Sequence, residues 1–258
     1  MGLFLPQRWR RQPQVSVGIN RASPLSSGIN HLYWFGTGGS RDLVRSTAAG
    51  VNTAVVEATT YGLGKTSNGS TTETSFPHDD NLAAGDLTFF VLCRVNSIPA
   101  NFSALFDKPG GGSRELALFY DTAGKVDFAA VGMGNLSVTS TLALPIGTLS
   151  SVCLIRNMSN NNLDYFVNGV KNATLSTAAS GVTAGNGLPL SFGLNPSAGG
   201  SAIGVTYYAA AHWPRVLADA EVVELYANPW QLVGPIPSRD YFFSAAAAGD
   251  VLMAQACL

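Results

Sequence analysis

The densest run of groups able to do chemistry is His78-Asp79-Asp80, an imidazole beside two carboxylates, the raw material of an acid–base pair or a metal site. The other two histidines, His31 and His212, lie far off along the chain and supply no ligand spacing, so the run reads as a hydrated loop after Pro77. Gly62-Leu63-Gly64-Lys65-Thr66 ends like a phosphate-binding loop. Thr59 stands where that loop needs its first glycine, and Ser67-Asn68-Gly69-Ser70 cannot open the helix whose N–H groups would hold a phosphate. A turn with an exposed lysine is expected there instead.

Hydrolysis of glycans needs two carboxylates facing one cleft, and a strand presents such a pair at alternate positions. None of Glu57, Glu73, Glu115, Glu221 and Glu224 has an aspartate two residues on. Gly-x-Ser-x-Gly elbows are also missing. The expectation is therefore a protein that is not an enzyme, with no catalytic residue. Asp121, Asp127 and Asp164 are scattered oxygen donors, short of the six or more that calcium takes, and read as turn residues. Cys93, Cys153 and Cys257 lack the close pairing of a zinc site and read as free thiols, the first two as small core residues in apolar strands. No cofactor and no metal are expected. Among the aromatics, Tyr165-Phe166 and Tyr207-Tyr208 are consecutive, so alternation turns one member of each pair outward; Tyr165, Tyr207 and Tyr208 are the candidates for a glycan or subunit contact.

The elements that position these groups read as all-β. Charged residues make up 12% of the 258-residue chain, about half the usual share, while 28 glycines mark frequent turns. So little charge implies a surface partly covered by neighbouring subunits, and a homo-oligomer is expected. The net charge of -1 excludes a body that binds nucleic acid throughout. Only the start is basic: Arg8, Arg10, Arg11 and Arg21 precede the first acidic residue, Asp42, and Arg8, Trp9, Arg10 and Arg11 are the candidate partner-binding residues of an N-terminal arm, residues 1–30. No apolar run reaches the length of a membrane span, and the chain reads as soluble and unexported, with no membrane partner.

Short β runs are expected at 31–35 and 51–57, then regular strands from Asp86 onward, separated by Gly, Asn, Asp and Pro. Asn168-Gly169 between β-forming residues predicts a type I′ hairpin. Further strands are expected at 188–194 and 203–212, and a short helix from about Asp219, stopping before Pro229. The sandwich then occupies 31–232, its core 86–232 and its helix about 219–228, followed by an apolar tail, 233–258.

The segment from Asp86 to Leu232 resembles the laminin-G-like, concanavalin A-like jelly-roll family. Leu87-Thr88-Phe89-Phe90-Val91 is similar to its opening strand, Tyr165-Phe166-Val167-Asn168-Gly169-Val170 to its hairpin, and 211–225 to its last strand and helix. The exit Tyr226-Ala227-Asn228-Pro229-Trp230-Gln231-Leu232 resembles a version found in proteins of tailed bacteriophages, as do the arginine-rich start and Tyr61-Gly62-Leu63-Gly64. Gly204 and Val205 stand where ligand-binding members often carry acidic residues, so no family ligand site is carried over. The resemblance implies an all-β, concanavalin A-like (laminin-G-like) jelly-roll β-sandwich with one short C-terminal helix and extended terminal arms. It implies a virion location and a capsid decoration or cement protein whose partners are other virion proteins, the major capsid protein above all. The alternative is a glycan-binding adhesin for host surface polysaccharide; a glycan-degrading enzyme ranks third.

Overall fold

Apolar side chains at alternate positions, and in places at every position, make strands buried on one face or on both. The computed structural model describes residues 12–13, 15–36, 39–68, 72–77, 79, 82, 85–99, 103–109, 114–130, 142–175, 187–193 and 204–235. Strands in its first third are β1 (Val17–Ile19), β2 (His31–Trp34), β3 (Arg41–Asp42), β4 (Thr47–Ala48), β5 (Val51–Asn52), β6 (Val55–Thr59), β7 (Gly62–Asn68) and β8 (Thr74–Phe76). Longer ones follow: β9 (Leu87–Val95), β10 (Ser103–Pro109), β11 (Arg114–Tyr120), β12 (Val126–Ala130), β13 (Leu149–Asn157), β14 (Asn162–Val167) and β15 (Val170–Leu175). The chain closes with β16 (Leu190–Phe192), β17 (Gly204–Trp213), the helix α1 (Asp219–Ala227) and β18 (Val233–Pro235).

Two antiparallel sheets face each other. The larger runs β15-β14-β13-β9-β17-β2-β3-β4, with the β6–β7 hairpin also on β17; the smaller runs β12-β11-β10-β16-β8-β5. Between them Tyr33, Phe35, Phe76, Phe89, Phe106, Phe192 and Tyr207 belong to one continuous core. The other face of the larger sheet is covered as well. Trp34, Phe90, Phe166, Tyr208 and Trp213 pack there with Val17, Leu25, the α1 residues Val222 and Leu225, and Trp230. This is the jelly-roll sandwich with one short helix that the sequence implied.

Double coverage corrects the reading of the tyrosine pairs. Tyr165 and Tyr207 point into the core between the sheets and Tyr208 into the outer core, and all three are fully buried. Alternation sends neighbours to opposite faces, but here neither face is open, so none of the three is a surface contact.

Local chemistry explains the ends of the elements. Asn168 (φ 51°) and Gly169 (φ 75°) both take the left-handed conformation that the β14–β15 turn requires. A side chain at 169 would also strike the Tyr226 ring, 2.8 Å from an ideal Cβ. Ala218 offers no oxygen to cap α1, so the Glu221 carboxylate accepts the Ala218 N–H (2.8 Å) and is held by two bonds from Arg215 (3.0 and 2.8 Å). Gly62 to Thr66 form part of β7, and Lys65 is buried with its Nζ donating to the Ala54 carbonyl at 3.4 Å, not the exposed turn lysine expected.

The basic arm shortens. β1 pairs with β18, and Val17, Leu25 and Ile29 are buried, so residues 15–30 pack on the sandwich. Arg8, Trp9, Arg10 and Arg11, like the tail from 236 onward and Cys257, lie outside the described residues.

Candidate functional site

A cavity of about 300 Å³ opens where the β2–β4 edge of the larger sheet meets β8 of the smaller one. Its lining is His31, Tyr33, Asp42, Arg45, Thr47, Phe76, Pro77 and Asp79. Three separate stretches of chain supply these groups.

His31 and Tyr33 are alternate residues of β2 and share a face; their rings stack 5.3 Å apart at 8°. Asp42 ends β3 and builds the turn into β4. Its Oδ1 accepts the backbone N–H of Leu32 (3.2 Å), Val44 (2.9 Å) and Arg45 (3.4 Å), and Ser46 at φ 57° completes the reversal. That turn carries Arg45 to the mouth of the cavity.

His31 ties the site together. Its Nδ1 lies 2.7 Å from Asp42 Oδ2 and its Nε2 3.0 Å from Asp79 Oδ2. Both ring nitrogens thus face carboxylate oxygens. Arg45 Nη2 donates to the same Asp79 oxygen (3.0 Å) and to Asn30 Oδ1 (2.8 Å). Burial raises the Asp42 pKa, but the hydrogen bond and charge of His31 and the bonds from Leu32 and Val44 outweigh it, so the carboxyl is held below its ordinary range.

Tyr33 is only 2% exposed, yet no described residue makes a hydrogen bond with its hydroxyl. Burial, then the charges of Asp42 and Asp79, raises its pKa well above the ordinary value, with Arg45 pulling the other way. The hydroxyl is therefore a neutral donor. The hydroxyl oxygen reaches the open cavity, where water or a ligand can meet it.

Behind this cluster His212 pairs in register with His31 across β17 and β2, ring centroids 5.8 Å apart. It is fully buried, and among the described residues it has only a marginal contact with the Leu82 backbone. Burial, aided by the charge of His31, pushes its pKa down to about 3, against the smaller opposite pull of Asp79. The neutral ring is part of the wall.

Asp79 is thus paired, not a hydrated loop group, while His78 and Asp80 lie outside the described residues. His31 and His212, far apart in sequence, are neighbours. Asp121 is a turn residue as expected, its Oδ1 accepting Ala123 N–H and Lys125 N–H at 2.8 Å each, whereas Asp164 sits within β14 and pairs with Lys171 (2.9 Å). Cys93 and Cys153 are buried free thiols, and burial pushes Cys93 up to about 12 and Cys153 higher. Among the described residues no group of three or more His, Cys, Asp or Glu side chains is arranged to hold a metal, and no helix is long and apolar enough to cross a membrane.

The fold is a two-sheet jelly roll with a polar cavity at its rim. The family model described as concanavalin A-like lectin/glucanases superfamily matches residues 68–223, more than half of the chain, and the chain belongs to that family. Among solved structures it is similar to Trypanosoma rangeli sialidase (TM-score 0.62, 17% identity), covering 86% of this chain and 37% of the sialidase. It is also similar to the binding domain of Paraclostridial Mosquitocidal Protein 1 (TM-score 0.65, 13% identity, 78% of this chain and 52% of that one). A third is the binding domain of Botulinum neurotoxin DC in complex with rat synaptotagmin II (TM-score 0.58, 12% identity, 78% and 51%). The chain spans just over a third of the sialidase and about half of each toxin structure, and at these identities the likeness is one of fold. No curated protein matches the chain.

These findings correct the expectations drawn from the phage resemblance. The similar structures are a trypanosomal sialidase and toxin binding domains, so the bacteriophage assignment, the capsid decoration role, the virion location and the virion partners are withdrawn. The expectation that the chain is not an enzyme is overturned too, because the family includes glucanases and the similar structures include a sialidase.

Proposed function

We propose that this chain is a carbohydrate-binding domain that takes a sugar in the cavity between β2–β4 and β8. The observation that carries the reading is the Tyr33 hydroxyl, which has no hydrogen-bond partner among the described residues and opens onto the cavity. Sugars are dense in hydroxyl groups that both donate and accept, and they combine a polar rim with an apolar ring face. Phe76 and Pro77 offer the apolar wall, and Arg45 and Tyr33 the polar one. About 300 Å³ is at the low end of small-ligand sites, which suits one sugar ring with the rest of a glycan outside. The comparisons support this: the similar Trypanosoma rangeli sialidase has been seen in complex with sialic acid, and the toxin structures are binding domains.

The test is a screen of the full chain against immobilised glycans, followed by calorimetric titration of any glycan retained. Saturable binding that Asp79→Asn weakens is expected, since that change breaks the pairs with His31 and Arg45. No binding up to millimolar sugar, or binding indifferent to Asp79→Asn, would overturn the reading. Assay of reducing ends in the same mixtures registers hydrolysis directly.

A further inference from the structure

Resting on that reading, we infer that His31 is a positioning residue that makes the cavity sensitive to pH: it holds Asp79, and through Asp79 the guanidinium of Arg45, and lets go when the ring and its carboxylates lose one proton. A count of protons carries this. Nδ1 lies 2.7 Å from Asp42 Oδ2 and Nε2 3.0 Å from Asp79 Oδ2, and each contact is a hydrogen bond only with a proton in it. A neutral imidazole brings one N–H and a carboxylate none, so the two contacts together need one proton more than a neutral ring between two carboxylates supplies. Whether that proton rests on Nε2 or on Asp79, its loss sets lone pairs face to face at one end of the ring.

The two ends are not held alike. Asp42 makes the shorter contact, and its Oδ1 accepts the N–H groups of Leu32, Val44 and Arg45, which favour its charged form and keep the remaining proton on Nδ1. Asp79 stands two residues beyond Pro77, and its side chain is the more exposed of the two. The contact that opens is therefore the one at Nε2. The Asp79 oxygen released there also accepts from Arg45 Nη2 at 3.0 Å, so the change passes to Arg45, and both residues line the cavity. Among the described residues the other titratable groups facing the ring are Tyr33, stacked on it within β2, and His212 from β17. Neither changes charge near neutral pH, since burial holds Tyr33 protonated and His212 neutral.

The test begins on the whole chain without ligand. In an NMR titration between about pH 5 and 9, which brackets the ordinary range of histidine, the Asp79 carboxyl carbon and the Arg45 Nε–H should shift with the midpoint of the His31 ring. His78→Gln should leave that shared midpoint in place, whereas Asp79→Asn should uncouple Arg45 from the ring, because an amide brings its own N–H to a neutral imidazole. Calorimetry over the same range then uses methyl β-glucoside, methyl β-galactoside and methyl N-acetyl-β-glucosaminide as probes. Affinity for a probe bound at the acid end should fall as pH rises, by up to about tenfold per unit, the slope of one released proton. The Asp79→Asn protein, weaker at acid pH, should show a flat profile. An Arg45 resonance that ignores the His31 ring, a slope that vanishes with His78→Gln, or an affinity independent of pH in the unmodified chain would overturn the inference and leave a sugar site intact. Coupled NMR shifts with no probe bound at any pH would support the positioning of Arg45 by His31 and count against the carbohydrate reading itself.

Discussion

Lys108 and Glu115 meet 2.6 Å apart on the neighbouring strands β10 and β11 with both side chains fully buried, whereas His31, Asp42, Asp79 and Arg45 form a cluster of the same kinds of charge that ends at an open cavity. In the first, Lys108 also donates to the Leu188 carbonyl, and neither side chain is exposed. In the second, the charges are held equally firmly at the back, through three backbone N–H groups and two carboxylates. At the front, the Tyr33 hydroxyl and the half-exposed Arg45 side chain line the open cavity. Charge alone does not mark a site. What marks it is firmly held charge beside polar atoms still in want of a partner.

The largest effect should come from the closed pair. Lys108→Met strands a buried carboxylate and should cost about 3–5 kcal/mol in urea denaturation, with sugar binding unchanged at temperatures where the variant is folded. In the cavity cluster Asp42→Ala should cost about 2–3 kcal/mol, because it orphans backbone N–H groups at the β3–β4 turn, and it should weaken sugar binding as well. If both substitutions left binding unaltered, the contrast between the clusters would collapse.

Acid sharpens the comparison further. His212 is neutral in the folded protein down to about pH 3, whereas an unfolded histidine binds a proton below its ordinary 6.5. The unfolded state then holds more protons, so stability rises with pH across that window, by up to about 1.4 kcal/mol per unit, and is lost as pH falls. Asp42 acts in the same direction but lower, losing its contribution as pH falls through its depressed folded value. Denaturation of the protein and His212→Leu between pH 6.5 and 4 should show a steeper slope in the unmodified chain; equal slopes would remove His212 from the account. The smallest change is expected for Arg45→Gln, less than about 0.5 kcal/mol, as for an exposed ion pair.

The strands 87–95, 149–157 and 204–213, the Asn168-Gly169 hairpin and the helix from Asp219 were legible because each is written locally, in alternation, a turn dipeptide or a helical period. The cavity was not, because no local pattern joins residues 31, 33, 42, 45 and 79. His31 reads as isolated when its cross-strand neighbour His212 comes from the other end of the chain, brought alongside by the antiparallel pairing of β2 with β17. Asp79 reads as a hydrated loop residue until β8 sets it beside His31. Tyr165, Tyr207 and Tyr208 misled for the opposite reason: alternation was read correctly, but the second core that covers the outer face of the larger sheet is assembled from β1, β18 and α1, elements distant in sequence.

Tyr33→Phe offers the most direct test of the central claim, because it deletes one oxygen and nothing else. Titration of the best sugar ligand into both proteins, with thermal melting alongside, should show affinity falling by tenfold or more while stability holds or rises slightly, since the lost hydroxyl had no partner. Unchanged affinity, or a loss of stability as large as that of a satisfied buried hydroxyl, would contradict a ligand site at this cavity.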